Sequence, residues 1–323
     1  MKYLKTYNQL NEGLRDMMKP KSDEEIKDSL KDLPIDQWLD KVDQFKLGEE
    51  YMPSLQEIEN FLSELDIDKK LEYFRFYNLD KNLFPTDEEI KIGLKDYPIL
   101  DQIKIIRINN LSDDFMPSYE DIKKELNYLS KYNMIHFIIK HQLDFDLLPR
   151  TDNGICIFPY GLDVEYSNIK KLPDDLRVGG YLYCNNNQLT ELPKNLIVED
   201  DLIASFNNIK KLPDDLIVGG YFQCTNSGLE EVPNTIKVKS SIYLSNNNIK
   251  NLPDNFETKE LLNVDNNQLT ELPKNLKVGG NLVCTNNDIK ELPDDIIVKD
   301  TLISNSLPKD TVKPKGVNKL KIV

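Results

Sequence analysis

The sequence predicts an α+β chain in which an N-terminal α-helical repeat solenoid is followed by a second solenoid of short parallel strands. Two periodicities predict it. Seven times, at a step of 20 residues, an apolar residue precedes proline, from Leu172-Pro173 through Val232-Pro233 to Leu292-Pro293. Upstream, a fainter repeat of 32 residues is anchored at Ser22, Ser54, Thr86 and Ser118. A strict period of this kind means that each unit buries its apolar face only against its neighbours.

Composition narrows the function classes. The chain has 323 residues, 39% hydrophobic and 30% charged, with a formal net charge of −14. That length suits two domains. The negative charge argues against general nucleic-acid binding, which needs a basic footprint. It fits solubility and is compatible with a basic partner. No apolar run approaches the length that spans a bilayer, so no membrane partner is expected. The start, MKYLKTYNQLNEGL, contains no continuous apolar stretch, so a secretory signal is not expected and a cytoplasmic setting is. The segments expected are an arm over 1–19, four helix-pair repeats over 20–148, the 20-residue repeats over 149–305, and a cap or tail over 306–323.

In the arm, Lys5-Thr6-Tyr7 is followed by Leu10-Asn11-Glu12-Gly13. This resembles the amino-terminal capsid-targeting peptide of large tailed phages of the T-even type. The resemblance implies cleavage after Glu12, a mature start at Gly13, and carriage in or on a virion. A flexible or amphipathic arm is the other reading of the same residues.

Each 32-residue unit reads as two helices. Ser or Thr stands at the first N-cap, with Glu25, Glu57, Glu89 or Asp121 three residues on. With Glu this is a capping box, which satisfies backbone N–H groups that the first turn leaves unpaired. The spacing of Ile58, Leu62 and Leu65 is helical. Pro34 and Pro98 break the chain and can open second helices. Four apolar columns recur, beginning at Ile26, Leu30, Leu39 and Leu47. Asn78, Asn109 and Asn110 suit the turns that end the second helices.

From Pro149 the period changes. The unit Leu182-x-Cys184-x-x-Asn187-x-Leu189-x-x-Leu192-Pro193-x-x-Leu196-x-Val198 can point all its named apolar side chains inward only if the chain coils back every 20 residues. The column Asn187, Asn207, Asn247, Asn267 and Asn287 can bond backbone groups that the turn leaves unpaired. Ser167 and Ser227 depart from it, so their rungs are expected to be looser. Gly179-Gly180, Gly219-Gly220 and Gly279-Gly280 are expected to permit a tight turn. Cys184, Cys224 and Cys284 share a column with Val164, Ala204, Leu244 and Val264 and read as structural buried thiols.

These residues resemble the leucine-rich repeat family, in particular the short bacterial type whose LPxxL element is found in type III secreted effectors of enteric bacteria. The resemblance implies that Leu182-x-Cys184 is a short parallel strand on a concave side and that the proline stretch runs extended along a convex side. In the resembling effectors a ubiquitin-ligase domain with a catalytic Cys follows the repeats. Residues 306–323, which follow the last repeat here, contain no Cys.

No constellation of catalytic residues stands out. His136 and His141 are the only histidines, and both fall at ordinary helix positions. No GxSxG, phosphate-loop or dinucleotide string occurs. The chain is therefore expected to be non-enzymatic and to need no cofactor or metal. Asp174-Asp175, Asp214-Asp215 and Asp294-Asp295 read as a solvated face or, alternatively, as a calcium ladder. The candidate partner-binding residues lie in the outward strand columns: Tyr181, Tyr183, Ile203, Phe206, Tyr221, Gln223, Tyr243 and Asn263. Aromatics with few charges compose a recognition surface, although Tyr and Ile are also plain strand formers. The expected function is protein recognition on that face. The alternative is a host-directed effector adaptor.

Overall fold

The structure, a computed structural model, describes residues 23–323. Glu12 and Gly13, together with the rest of the arm and the Ser22 cap, lie outside the described residues. The chain divides into two compact units, the first ending at Ile122 and the second beginning at Lys123.

The described helices are α1 (Asp23–Lys31), α2 (Ile35–Gln44), α3 (Leu55–Ser63), α4 (Ile67–Phe76), α5 (Asp87–Leu94), α6 (Ile99–Ile108), α7 (Tyr119–Leu126) and α8 (Lys131–Lys140). The expected caps are in place. The Ser54 N–H donates to Glu57 Oε2 (2.8 Å) and the Glu57 N–H to Ser54 Oγ (3.3 Å). Thr86 and Glu89 repeat this arrangement. These bonds favour the ionised carboxylates and hold both below the usual carboxylate range. Pro34 and Pro98 occupy the N-cap of α2 and α6. Asp66 and Ser130 cap α4 and α8 instead, accepting from the backbone N–H of Lys69 and Asn133.

Second helices close by a left-handed residue at Lys46, Asn110 and Gln142. The following N–H then reaches back around the turn, Leu47 to Val42 O (2.9 Å), Leu111 to Ile106 O (3.0 Å) and Leu143 to Ile138 O (2.9 Å), a Schellman closure. Asn78 is not left-handed, and α4 ends on extended Tyr77. Each helix pair then packs on the next. Leu39 of α2 clusters with Ile58 and Leu62 of α3. Ile67 and Leu71 of α4 cluster with Ile90 and Leu94 of α5 and Ile105 and Ile106 of α6.

The second unit is a leucine-rich-repeat solenoid. The division falls within α7, so α8 belongs to it. Lys131 of α8 donates its ammonium to Ile157 O (2.6 Å) and lies 5.7 Å from the centre of the Phe158 ring. Each coil carries two strands where the sequence reading expected one. The first row comprises β2 (Leu162–Asp163), β4 (Leu182–Tyr183), β6 (Leu202–Ile203), β8 (Phe222–Gln223), β10 (Ile242–Tyr243), β12 (Leu262–Asn263) and β14 (Leu282–Val283). The second comprises β1 (Cys156–Phe158), β3 (Leu176–Val178), β5 (Ile197–Val198), β7 (Ile217–Val218) and β9 (Lys237–Val238), and then β11 (Glu257–Thr258) and β13 (Lys277–Val278). All pairing is parallel, as between Leu182 and Leu202 or Val178 and Val198. The second row is interrupted between β9 and β11, where the core column passes from Ile236 to the bulkier Phe256.

At the far end one long strand, β15 (Ile297–Ser304), joins both rows by pairing with β13 through its first half and β14 through its second. The tail is the cap: β16 (Val317–Ile322) pairs parallel with β15 and covers the last rung. Lys319 and Lys321 are exposed on this terminal strand, and such charges discourage edge-to-edge pairing.

The inward columns are dry. Leu182, Cys184, Leu189, Leu196 and Val198 are fully buried, and Leu192 is nearly so. Between the strands, the asparagine amides serve the backbone. Asn207 donates to Cys184 O (3.0 Å) and Ala204 O (3.0 Å) and accepts from the Leu189 N–H (3.0 Å). Asn187, Asn247, Asn267 and Asn287 repeat the pattern. The Ser227 rung is not loose. Its buried hydroxyl bonds Ala204 O (3.3 Å) and Thr225 O (3.1 Å), and Asn247 Oδ1 accepts from both Ser227 and Leu229 N–H. The glycine pairs serve space rather than turn conformation. Gly179, Gly219 and Gly279 are not left-handed, but a Cβ there would lie 2.4, 1.8 and 1.9 Å from the carbonyl oxygen of Pro159, Glu199 and Lys259.

Two substitutions test this packing. Leu212→Ala, at a side chain only 1% exposed, is expected to cost about 2–5 kcal/mol. Asn247→Ala strands several buried backbone groups and is expected to cost on the order of 2 kcal/mol or more. Both are read as shifts of the urea midpoint. An Asn247→Ala midpoint equal to wild type would remove the amide ladder as a structural element.

Candidate binding face

The row of first strands presents three outward columns. The leading one runs from Gly161 through Tyr181, Asp201 and Tyr221 to Thr301. The middle one runs Asp163, Tyr183, Ile203, Gln223, Tyr243, Asn263, Val283 and Ile303, and the trailing one from Glu165 through Asn185 and Asp265 to Asn305. The pleat places them there because alternate residues, Leu182 and Cys184 among them, are committed to the core. Neighbouring strands lie about 5 Å apart, so these side chains touch across rungs.

That contact alters the sequence expectation of exposed aromatics. Of the expected site residues only Tyr181 (40% exposed) and Phe206 (53%) are open to solvent. Tyr183, Ile203, Tyr221, Gln223, Tyr243 and Asn263 are half-buried. Tyr181 stacks on Tyr183 with ring centres 4.4 Å apart, and Tyr221 meets Tyr243 edge-on at 6.1 Å. Burial and then the nearby Asp201 carboxylate push the Tyr221 phenol above its ordinary value. The trailing column closes partly on itself. Ser205 and Thr225 are buried, with the Thr225 hydroxyl donating to Ser205 Oγ at 3.0 Å.

Phe206 is not in a strand. It follows the trailing column at a position where the backbone is left-handed on seven successive rungs. Asn186, Asn226, Asn246, Asn266 and Asn286 fill it elsewhere, with Tyr166 and Phe206 as the exceptions. Asn tolerates this conformation because its short side chain bonds locally, whereas an aromatic does not. The expected outward columns thus included one residue, Phe206, that belongs to the turn. They omitted Tyr166, its 73%-exposed counterpart. The signal that would have found both is the aromatic replacing Asn at this repeat position.

The face differs electrostatically from the rest of the coil. None of its three columns contains Lys, Arg or His. Its carboxylates Asp163, Glu165, Asp201 and Asp265 form no ion pair among the described residues. Elsewhere on the coil carboxylates meet lysines, as in Lys211–Glu231 (3.2 Å) and Lys259–Glu257 (2.7 Å).

The remaining candidates are structural. All four cysteines are buried and free. Burial pushes the Cys224 and Cys284 thiols up to about 12 and raises Cys156 and Cys184 as well, so the reactive thiolate is suppressed. His136 and His141 pack against the rings of Tyr132 and Phe137, with centres 4.3 Å apart in each pair. Among the described residues no group of His, Cys, Asp and Glu is arranged to hold a metal. The aspartates beside the prolines bond their own rungs: Asp175 accepts from Asn195 (2.8 Å) and Asp254 from the Lys274 N–H (3.0 Å). No described helix is long and apolar enough to cross a membrane.

No protein-family model matches the chain, and no curated protein sequence matches it. Among solved structures, it is similar to the leucine-rich repeat domain of a Shigella effector. The identity is 22% over 46% of this chain and 70% of that one, with a TM-score of 0.31. It is also similar to YopM, a leucine-rich effector protein from Yersinia pestis, at 19% identity over 62% of this chain and 69% of that one, with a TM-score of 0.27. At these scores the fold rests on the rung register and the buried columns, not on either likeness.

The strain at Phe206 is measurable. Phe206→Asn is expected to stabilise the protein by about 1 kcal/mol, read as a raised urea midpoint. An unchanged or lowered midpoint would mean that the ring repays its backbone cost by packing.

Proposed function

We propose that this chain is a non-enzymatic protein-interaction module that holds its partner on the face of the first-strand row, the side that the repeat resemblance makes concave. The supporting observation is the composition of that face. Stacked and edge-paired tyrosines lie among Asn, Gln, Ser and Thr, without a basic side chain. Large, stiff, amphipathic rings give contact area at low entropy cost. Neighbouring rungs already hold these rings in place, so little further ordering is required on binding. The test is affinity capture with wild type and with Tyr183→Ala/Tyr243→Ala. Loss of the captured partners with the fold retained by circular dichroism supports the proposal. Unchanged capture of every partner overturns it.

A virion setting for this module follows from the arm. If Leu10-Asn11-Glu12-Gly13 is a head-maturation site, mass spectrometry of purified phage particles will find the protein beginning at Gly13. An intact Met1 in mature heads would exclude the cleavage. The second reading, a host-directed effector adaptor in a host cytoplasm, draws on the LPxxL spacing and uses the same face for recruitment.

A further inference from the structure

The strand face differs from the other surfaces of the coil in which charges it omits. On the loop side, Lys and Glu alternate from rung to rung and pair, as Lys210–Glu230 and Lys211–Glu231 do. Across the three outward strand columns the cation is missing altogether. The carboxylates there are satisfied only by donors of the coil. Asp163 accepts from the Glu165 N–H (3.1 Å), Glu165 from Asn185 (2.9 Å) and Asp201 from the Tyr221 N–H (2.9 Å). Each keeps acceptor capacity facing outward, because a carboxylate offers about four lone-pair sites.

A second pattern coincides with the first. The two rungs that place an aromatic at the left-handed turn are the first and the third, which also carry Asp163, Glu165 and Asp201. Tyr166 follows Glu165 directly, and Phe206 closes the rung that Asp201 opens. Both rings are exposed and both replace the Asn that local backbone physics prefers. A carboxylate and an exposed ring on one rung, with no internal cation between them, together provide the two attractions a guanidinium or ammonium uses: a charge-assisted hydrogen bond and the face of a π-system.

We propose that the occupant of this face is an extended basic segment of a partner protein, whose Arg or Lys side chains seat on the first and third rungs between carboxylate and ring. This rests on the preceding reading of the face and adds the chemistry of the partner. The two rungs are separated by two strand spacings, about 10 Å. An extended polyproline-type chain repeats the same side every third residue, about 9 Å, so basic residues three apart match the two seats.

The experiment measures binding of the full chain to a fluorescent Arg-Pro-Ser repeat peptide by anisotropy, with Gln-Pro-Ser and Glu-Pro-Ser repeats and maltoheptaose as alternatives. The Arg peptide is expected to bind at least roughly tenfold more tightly than the Gln peptide. Asp201→Asn and Phe206→Asn are each expected to weaken it roughly fivefold or more, the latter while raising stability. Asp214→Asn/Asp215→Asn, which removes the same kind of charge beside the prolines, is expected to change affinity less than about twofold. Equal losses from the proline-side variant would mean that net charge alone attracts the peptide, and would overturn the proposal. So would preference for the Gln peptide, the Glu peptide or maltoheptaose, or no binding to any probe. If a Gln or Glu peptide binds and Tyr183→Ala/Tyr243→Ala abolishes that binding, the basic partner is excluded and the face reading stands. If the peptides bind equally to Tyr183→Ala/Tyr243→Ala and to wild type, both fail.

Discussion

The structure of the second unit depends on one requirement: every buried peptide group of a 20-residue coil must find a partner. Most strands here are only two or three residues long, too short to satisfy an interior by ladder bonds alone. The asparagine amide supplies the remainder. Asn207 bridges the carbonyls of Cys184 and Ala204 on adjacent rungs while accepting from Leu189. Because an unmet buried donor or acceptor costs free energy comparable to a lost hydrogen bond, the amide locks each coil to the next at one register. Where Ser227 interrupts the column, its hydroxyl and the adjacent Asn247 divide the same task.

A locked register orders everything outside the core. Residues 20 apart in sequence become neighbours, so a single repeat position becomes a column, and each column has its own chemistry. On the loop side, Lys–Glu columns form ion pairs that are exposed and individually worth little. On the strand face, ring stacks on ring. The left-handed turn position shows the same logic, with asparagines filling it on five rungs and aromatics on two. The strained residues are exposed ones, so they cannot be ascribed to core packing. Strain retained on a surface is a common mark of a functional position.

The helical unit solves the backbone problem differently. Its short helices leave several unpaired groups at each end, and the repeat supplies caps for them: Ser or Thr with Glu at first helices, and Pro, Asp or Ser at second helices. Schellman closures at Lys46, Asn110 and Gln142 finish three of the four units. The fourth, at Tyr77, departs because α4 runs into extended chain.

Much of this was legible in the sequence, because periods are local and burial follows from them. The capping boxes, the inward columns, the amide ladder and the core cysteines could be read from spacing alone. Asp66 and Ser130 as caps could also have been read, since each stands three residues before an N–H it serves. The second strand row was missed although Leu196-x-Val198 alternates as a strand does. The glycine pairs were assigned to turns when their reason is the carbonyl of the preceding rung, a contact that no linear pattern contains.

The sequence by itself determined the repeat, its register and which residues must be dry, since apolar periodicity and hydrogen-bond demand act within one unit and its neighbours. Only the tertiary structure decided how far the tyrosines are covered, that Phe206 sits on a left-handed turn, that α8 belongs to the second unit, and that the tail closes the stack as a strand. Each of these depends on rung-to-rung or element-to-element distance, which is set by packing in three dimensions and leaves no period in the chain.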